Sequence, residues 1–136
     1  MTILLSSRLL RAALSLDAVA TIATGAMLAF APATLSAWFG LPRSFVFSLG
    51  VFQLAYATIV VAAALRTTLP NWIAWTLVFL NVVWVVDSVG LLLTGWISPT
   101  DLGVGYVLAQ AAAVLALAVA QAKGIRQSAV LQPSIA

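Results

Sequence analysis

Four long apolar runs alternate along the chain with short segments that hold most of its charge and proline. They cover roughly Ala12 to Ala31, Phe45 to Leu65, Trp72 to Leu93 and Leu102 to Ala122. Each is close to the ~20 residues that carry a helix across ~30 Å of hydrocarbon. Membrane-spanning strands are excluded, because the alternation of a barrel strand is absent and four strands cannot close a barrel. The pattern predicts an all-α integral membrane four-helix bundle. It forms one domain over residues 1–124, with a flexible polar tail over 125–136.

The intervening segments carry their own signals. Pro32 ends the first run, and Ala33 to Phe39 follows with Leu35, Trp38 and Phe39 before Gly40-Leu41-Pro42. This predicts a short interfacial helix between spans 1 and 2, anchored by its tryptophan. Thr67-Thr68-Leu69-Pro70 predicts a tight turn between spans 2 and 3. Ser98-Pro99-Thr100-Asp101 resembles a capping box that starts span 4, and Lys123-Gly124 suits its end. Arg8 and Arg11 before an apolar run, then Ala29-Phe30-Ala31, also fit a signal peptide. The run is too long for one and contains Asp17, so an uncleaved first span is expected.

Composition agrees with the pattern. The chain is 64% hydrophobic and 7% charged, against about 25% charged residues in a soluble domain. Its six basic residues form no patch or stripe, so nucleic acid is not an expected partner. They act instead as topology signals. Arg8, Arg11, Arg66, Lys123 and Arg126 fall on one side and Arg43 alone on the other, which predicts cytoplasmic termini. There is no His, Cys or Glu, so neither a metal nor any other cofactor is expected.

The polar residues inside the spans are the candidates for function. Asp17 and Asp87 lead them, because a carboxylate in hydrocarbon is costly unless neutralised, paired or turned inward. At 1.5 Å per residue, Asp17 lies roughly 8 Å from the cytoplasmic side, and Tyr56 and Asn81 roughly 13 Å. Gln53 and Gln110 lie at roughly 17 Å, and Asp87 and Tyr106 at roughly 23 Å. Asp17, Thr21 and Thr24 share one face of span 1. Gln53 pairs with Tyr56, Asn81 with Trp84 and Ser88, and Tyr106 with Gln110, each at helical spacing. With Asp87 beside Trp84, these stripes predict a polar seam lined by Asp17, Gln53, Tyr56, Asn81, Trp84, Asp87, Tyr106 and Gln110. Asp17 is within reach of Arg11 or Arg8. Asp87 has no cation at its depth, so a bond to Tyr106 or Gln110 is expected. Thr, Asn and Gln also serve as plain helix glue, at ~0.6 kcal/mol per bond.

Several short segments have a familiar layout. They are Gly25 to Pro32 with Trp38-Phe39-Gly40-Leu41-Pro42, Gln53-Leu54-Ala55-Tyr56-Ala57, Asn81 and Asp87-Ser88. Over residues 12 to 95 the chain resembles the DoxX-like group of small four-helix bacterial membrane proteins. The resemblance implies an inner-membrane bundle and no particular activity. A weaker likeness is to small multidrug transporters, which carry a glutamate where Asp17 stands.

Two functional readings follow. The first is a non-enzymatic binding or accessory protein whose seam holds a lipid-like or small apolar molecule, or which docks to a larger complex. The alternative is a proton-coupled small-solute transporter acting as an oligomer. Gly103, Gly105 and the alanines from Ala109 to Ala122 make span 4 the expected face for a homo-oligomer. Catalysis has little to work with. Asp87 and Tyr106 are the one acid-base pair that can be constructed.

Overall fold

The computed structural model describes residues 1–132. Its order is β1 (Ile3–Leu5), α1 (Arg8–Phe30), α2 (Pro32–Phe39), α3 (Arg43–Ala64), β2 (Thr68–Pro70), α4 (Asn71–Thr94), α5 (Asp101–Arg126) and β3 (Ala129–Leu131). The helices α1, α3, α4 and α5 are each long and apolar enough to cross a membrane, the pattern of a multi-pass membrane protein. Their surfaces support that reading. Val19, Phe52, Ile59, Phe79, Val86, Leu108 and Val119 are exposed, whereas Asp17, Gln53, Asn81, Ser88 and Gln121 are buried. This inverts the usual arrangement of a water-soluble domain.

Local chemistry sets the helix ends. The Ser7 hydroxyl accepts from the Leu10 amide at 3.1 Å and starts α1. Pro32 opens α2, and Gly40 closes it in a left-handed conformation with φ of 68°. Thr100 caps α5 by accepting from the Gly103 amide at 3.1 Å. The same residue ties down the free carbonyls of α2. Its amide donates to the Phe39 oxygen at 2.9 Å and its hydroxyl to the Trp38 oxygen at 2.6 Å. The short helix is therefore fixed to the start of α5.

At the opposite end the three strands form a small antiparallel sheet in the order β2-β1-β3. Leu4 pairs with Leu69 on one side and Val130 on the other. Leu4 and Leu69 turn into a core with Leu10, Leu14, Leu77 and Ile125. Two expectations change here. Thr68 to Pro70, expected within a tight turn, is a strand, and the chain turns before it, at Leu65 to Thr67. The segment from Ile125, expected to be a flexible tail, continues α5 to Arg126 and then pairs as β3. The physical reason is that both edge strands need β1, which the N-terminus supplies from far away in sequence. The last four residues of that expected tail, 133–136, lie outside the described residues.

The helices pack unevenly. α1 lies against both α3 and α5, and α4 lies along α5. α3 and α4 follow one another in sequence yet make almost no backbone approach. The α1–α3 contact is the tightest. A Cβ on Gly50 would fall on the Ala29 backbone nitrogen and 2.8 Å from the Gly25 oxygen. Gly50→Ala is therefore expected to push α1 and α3 apart and cost about 1–3 kcal/mol. Gly105→Ala meets open space and should be neutral or slightly stabilising. Equal melting temperatures for both variants in detergent would contradict the close approach.

The small residues of span 4 divide between two uses. Gly103 packs on the Phe39 backbone and Gly124 on Leu10, within the chain. Gly105, Ala109, Ala112, Ala113 and Ala116 remain exposed.

Candidate functional site

The polar groups along the long helices form two bonded clusters, a Thr24–Gln53 pair and one unbonded, exposed acid. The first cluster is centred on Asp17, which is 2% exposed. Its Oδ2 accepts from Asn81 Nδ2 at 2.9 Å and from Gln121 Nε2 at 2.7 Å. Its Oδ1 accepts from the Thr21 hydroxyl at 3.2 Å. Asn81 Nδ2 also donates to Gln121 Oε1 at 3.1 Å, and the Tyr56 hydroxyl donates to Asn81 Oδ1 at 3.3 Å. One carboxyl group thus gathers side chains from α1, α4 and α5, and through Asn81 from α3. It receives three bonds, all from neutral partners.

One expectation about Asp17 is corrected. It does not pair with Arg8 or Arg11, both of which are exposed. Gln121 was not among the expected site residues. Because α5 runs on to Arg126, it is fully buried.

The second cluster lies further toward α2. The Trp84 indole donates to Gln110 Oε1 at 2.7 Å, and Gln110 Nε2 donates to the Ser88 hydroxyl at 3.1 Å. Ser88 returns a bond to the Trp84 carbonyl at 2.7 Å. This fixes the indole plane. Its face stacks on Phe52 of α3, with centroids 6.1 Å apart and rings within 3° of parallel, a separation that suits offset aromatic stacking. Gln53 belongs to neither cluster and accepts from the Thr24 hydroxyl at 3.0 Å. Tyr106 stacks on Phe39 at 4.5 Å.

Asp87 departs from the expected seam. It is exposed, and no hydrogen bond joins it to Tyr106, Gln110 or any other side chain among the described residues. The cause is its position on the helix. At about 100° per residue, Asp87 lies about 120° around α4 from Asn81 and about 60° from Trp84. It stands at the rim of the inward stripe, while Ser88 takes the inward place.

That rim borders the gap between α3 and α4. Two cavities fill the gap, one of about 520 Å³ toward α2 and one of about 370 Å³ toward the Asp17 cluster. Leu49, Gln53, Trp84, Asp87 and Gln110 line both, so the cavities are neighbours along one cleft. The outer one is walled by Leu28, Phe39, Phe45, Leu91 and Tyr106 and bounded by Trp96 and Ile97 of the α4–α5 loop. The inner one is floored by Asp17, Tyr56 and Asn81. Only side chains bridge the opening, through the Phe52–Trp84 stack and the Tyr56–Asn81 bond. Phe52, the α3 half of that bridge, was not among the expected site residues.

No family model, curated protein or solved structure matches this chain. The cleft's own geometry therefore carries the functional argument. All eight expected residues line one or both cavities. Asp17, Tyr56 and Asn81 meet in the first cluster, Trp84 and Gln110 in the second, and Gln53, Asp87 and Tyr106 stand outside both. Among the described residues, no three His, Cys, Asp or Glu side chains gather to hold a metal. What the arrangement offers is an apolar space with a few fixed polar groups, open between two helices.

Proposed function

We propose that this chain is a non-enzymatic inner-membrane binding protein that holds one lipid-like or small apolar molecule in the cleft between α3 and α4. The observation that carries the reading is the lack of close backbone packing between these two consecutive helices, with adjoining cavities in its place. Pockets of a few hundred Å³, largely apolar with a few oriented polar groups, are the usual form of a small-molecule site. A gap between two membrane-crossing helices opens sideways, toward the bilayer that would supply such a molecule. The DoxX-like resemblance contributes a bacterial inner-membrane setting and no activity.

The proposed orientation follows from charge. Arg8, Arg11, Arg66, Lys123 and Arg126 lie at the end with the three-stranded sheet, and Arg43 lies at the end with α2. The positive-inside rule puts the sheet and both termini in the cytoplasm. The transporter reading requires an acid free to exchange a proton with the solute path. Asp17 is engaged by three donors, which leaves Asp87 as its candidate.

A photoactivatable alkyl diazirine tests the cleft directly. In nanodiscs, labelling that unlabelled ligand competes away is expected at Leu49, Phe52, Trp84 and Leu91. Labelling of Val19, Ile59 and Val119, on the outer faces, should not respond to competitor. Uniform labelling of every lipid-facing surface would sink the proposal.

A further inference from the structure

We infer that the cleft's occupant is an amphiphilic cation, an apolar body carrying a single ammonium-type charge that sits against Asp87. The inference rests on the binding role proposed for the cleft and names the chemical class of its ligand. Three observations lead to it. First, the two intramembrane acids are treated differently. Asp17 is saturated by Thr21, Asn81 and Gln121, whereas Asp87 has no partner among the described residues. Second, Asp87 lines both cavities, at the rim where they adjoin. An unpaired carboxylate at membrane depth is costly, and a bound cation removes that cost by pairing with it. Third, aromatic rings share the space. Trp84 and Tyr106 line the outer cavity with Asp87, and aromatic faces attract ammonium groups.

The residues around the cleft also narrow the charge of the ligand. No Lys or Arg lines either cavity. A zwitterionic phospholipid headgroup would bring a phosphate that finds no cation there and is repelled by Asp87. The cleft thus favours a molecule with one positive charge over an aminophospholipid of the surrounding bilayer.

The test compares three probes of equal chain length against the full chain in nanodiscs, with empty nanodiscs as the baseline. They are dodecyltrimethylammonium, dodecylphosphocholine and 1-dodecanol. Wild type should bind the ammonium about tenfold more tightly than the alcohol, and the phosphocholine no better than the alcohol. Asp87→Asn should abolish the preference for the ammonium, with a melting temperature equal to or above that of the wild type, because Asp87 makes no hydrogen bond to lose and the amide removes an unpaired charge. Asp87→Ser is the second neutral variant, should the first fail to fold. Asp101→Asn, at an exposed acid outside the cleft, should keep the preference. Equal binding of ammonium and alcohol to wild type overturns the inference and leaves the cleft reading standing. So does a preference that survives loss of the Asp87 charge. Phosphocholine binding as tight as that of the ammonium overturns it in favour of a lipid headgroup. If no probe binds wild type, the cleft reading falls as well.

Discussion

Asp17→Ala is expected to lower the stability of the bundle by roughly 3 kcal/mol, since a buried donor stripped of its acceptor costs 1–3 kcal/mol. The substitution removes the acceptor of two buried amides. Gln121 Nε2 loses its 2.7 Å partner, while Asn81 Nδ2 keeps Gln121 Oε1 at 3.1 Å. Two considerations compete over the size. Hydrogen bonds between membrane helices average ~0.6 kcal/mol, because the unfolded chain finds other partners in the bilayer. Bonds to a carboxylate are about twice as strong as neutral ones, and the stranded amides have no water to turn to. The second effect should win, since Asp17, Asn81 and Gln121 are all nearly inaccessible. Asp17→Asn keeps the shape and one acceptor oxygen and should cost only about 1 kcal/mol. Denaturation in detergent measures both. An alanine variant that melts with the wild type would show that the cluster contributes nothing.

The sequence made some of this plain and hid the rest, for physical reasons that differ from element to element. The four long helices follow from apolar runs long enough to span hydrocarbon, and α2 follows from Pro32 and Gly40. Helix ends were harder. Arg8, Arg11, Lys123 and Arg126 are helical although charged, so α1 and α5 extend past the apolar runs. That extension carries Gln121, near the end of the apolar run, well inside α5. The small sheet was invisible because each strand has three residues and its partner lies far along the chain. The cleft was invisible for another reason. Consecutive elements usually neighbour one another, and an apolar pattern shows how much of a helix is buried but not against which partner. Polar stripes located the site residues well, but a stripe is wide. Whether Asp87 at its margin turns in or out depends on whether a helix lies opposite, and here α3 stands back.

Gly90 gives the cleft a discriminating test. It lines the outer cavity, and a Cβ at this position meets nothing within 4 Å. Gly90→Leu therefore adds a side chain at the edge of the outer cavity, where its Cβ displaces no packed atom. Removing a glycine from a helix interior also relieves a penalty of about 1 kcal/mol relative to alanine. The variant should fold as well as the wild type or better. A ligand that must share its space with the new side chain loses about 1–3 kcal/mol to crowding, which is roughly tenfold to a hundredfold in affinity. Stability and binding should thus move apart, which no purely structural role for the cleft would produce.

Native mass spectrometry of wild type and Gly90→Leu, released side by side from native membrane nanodiscs, decides the matter most directly. The expected result is one retained small-molecule adduct per wild-type chain, largely absent from Gly90→Leu, with the variant's melting temperature equal or higher. An identical adduct on both chains, or none on the wild type, would contradict a ligand held between α3 and α4.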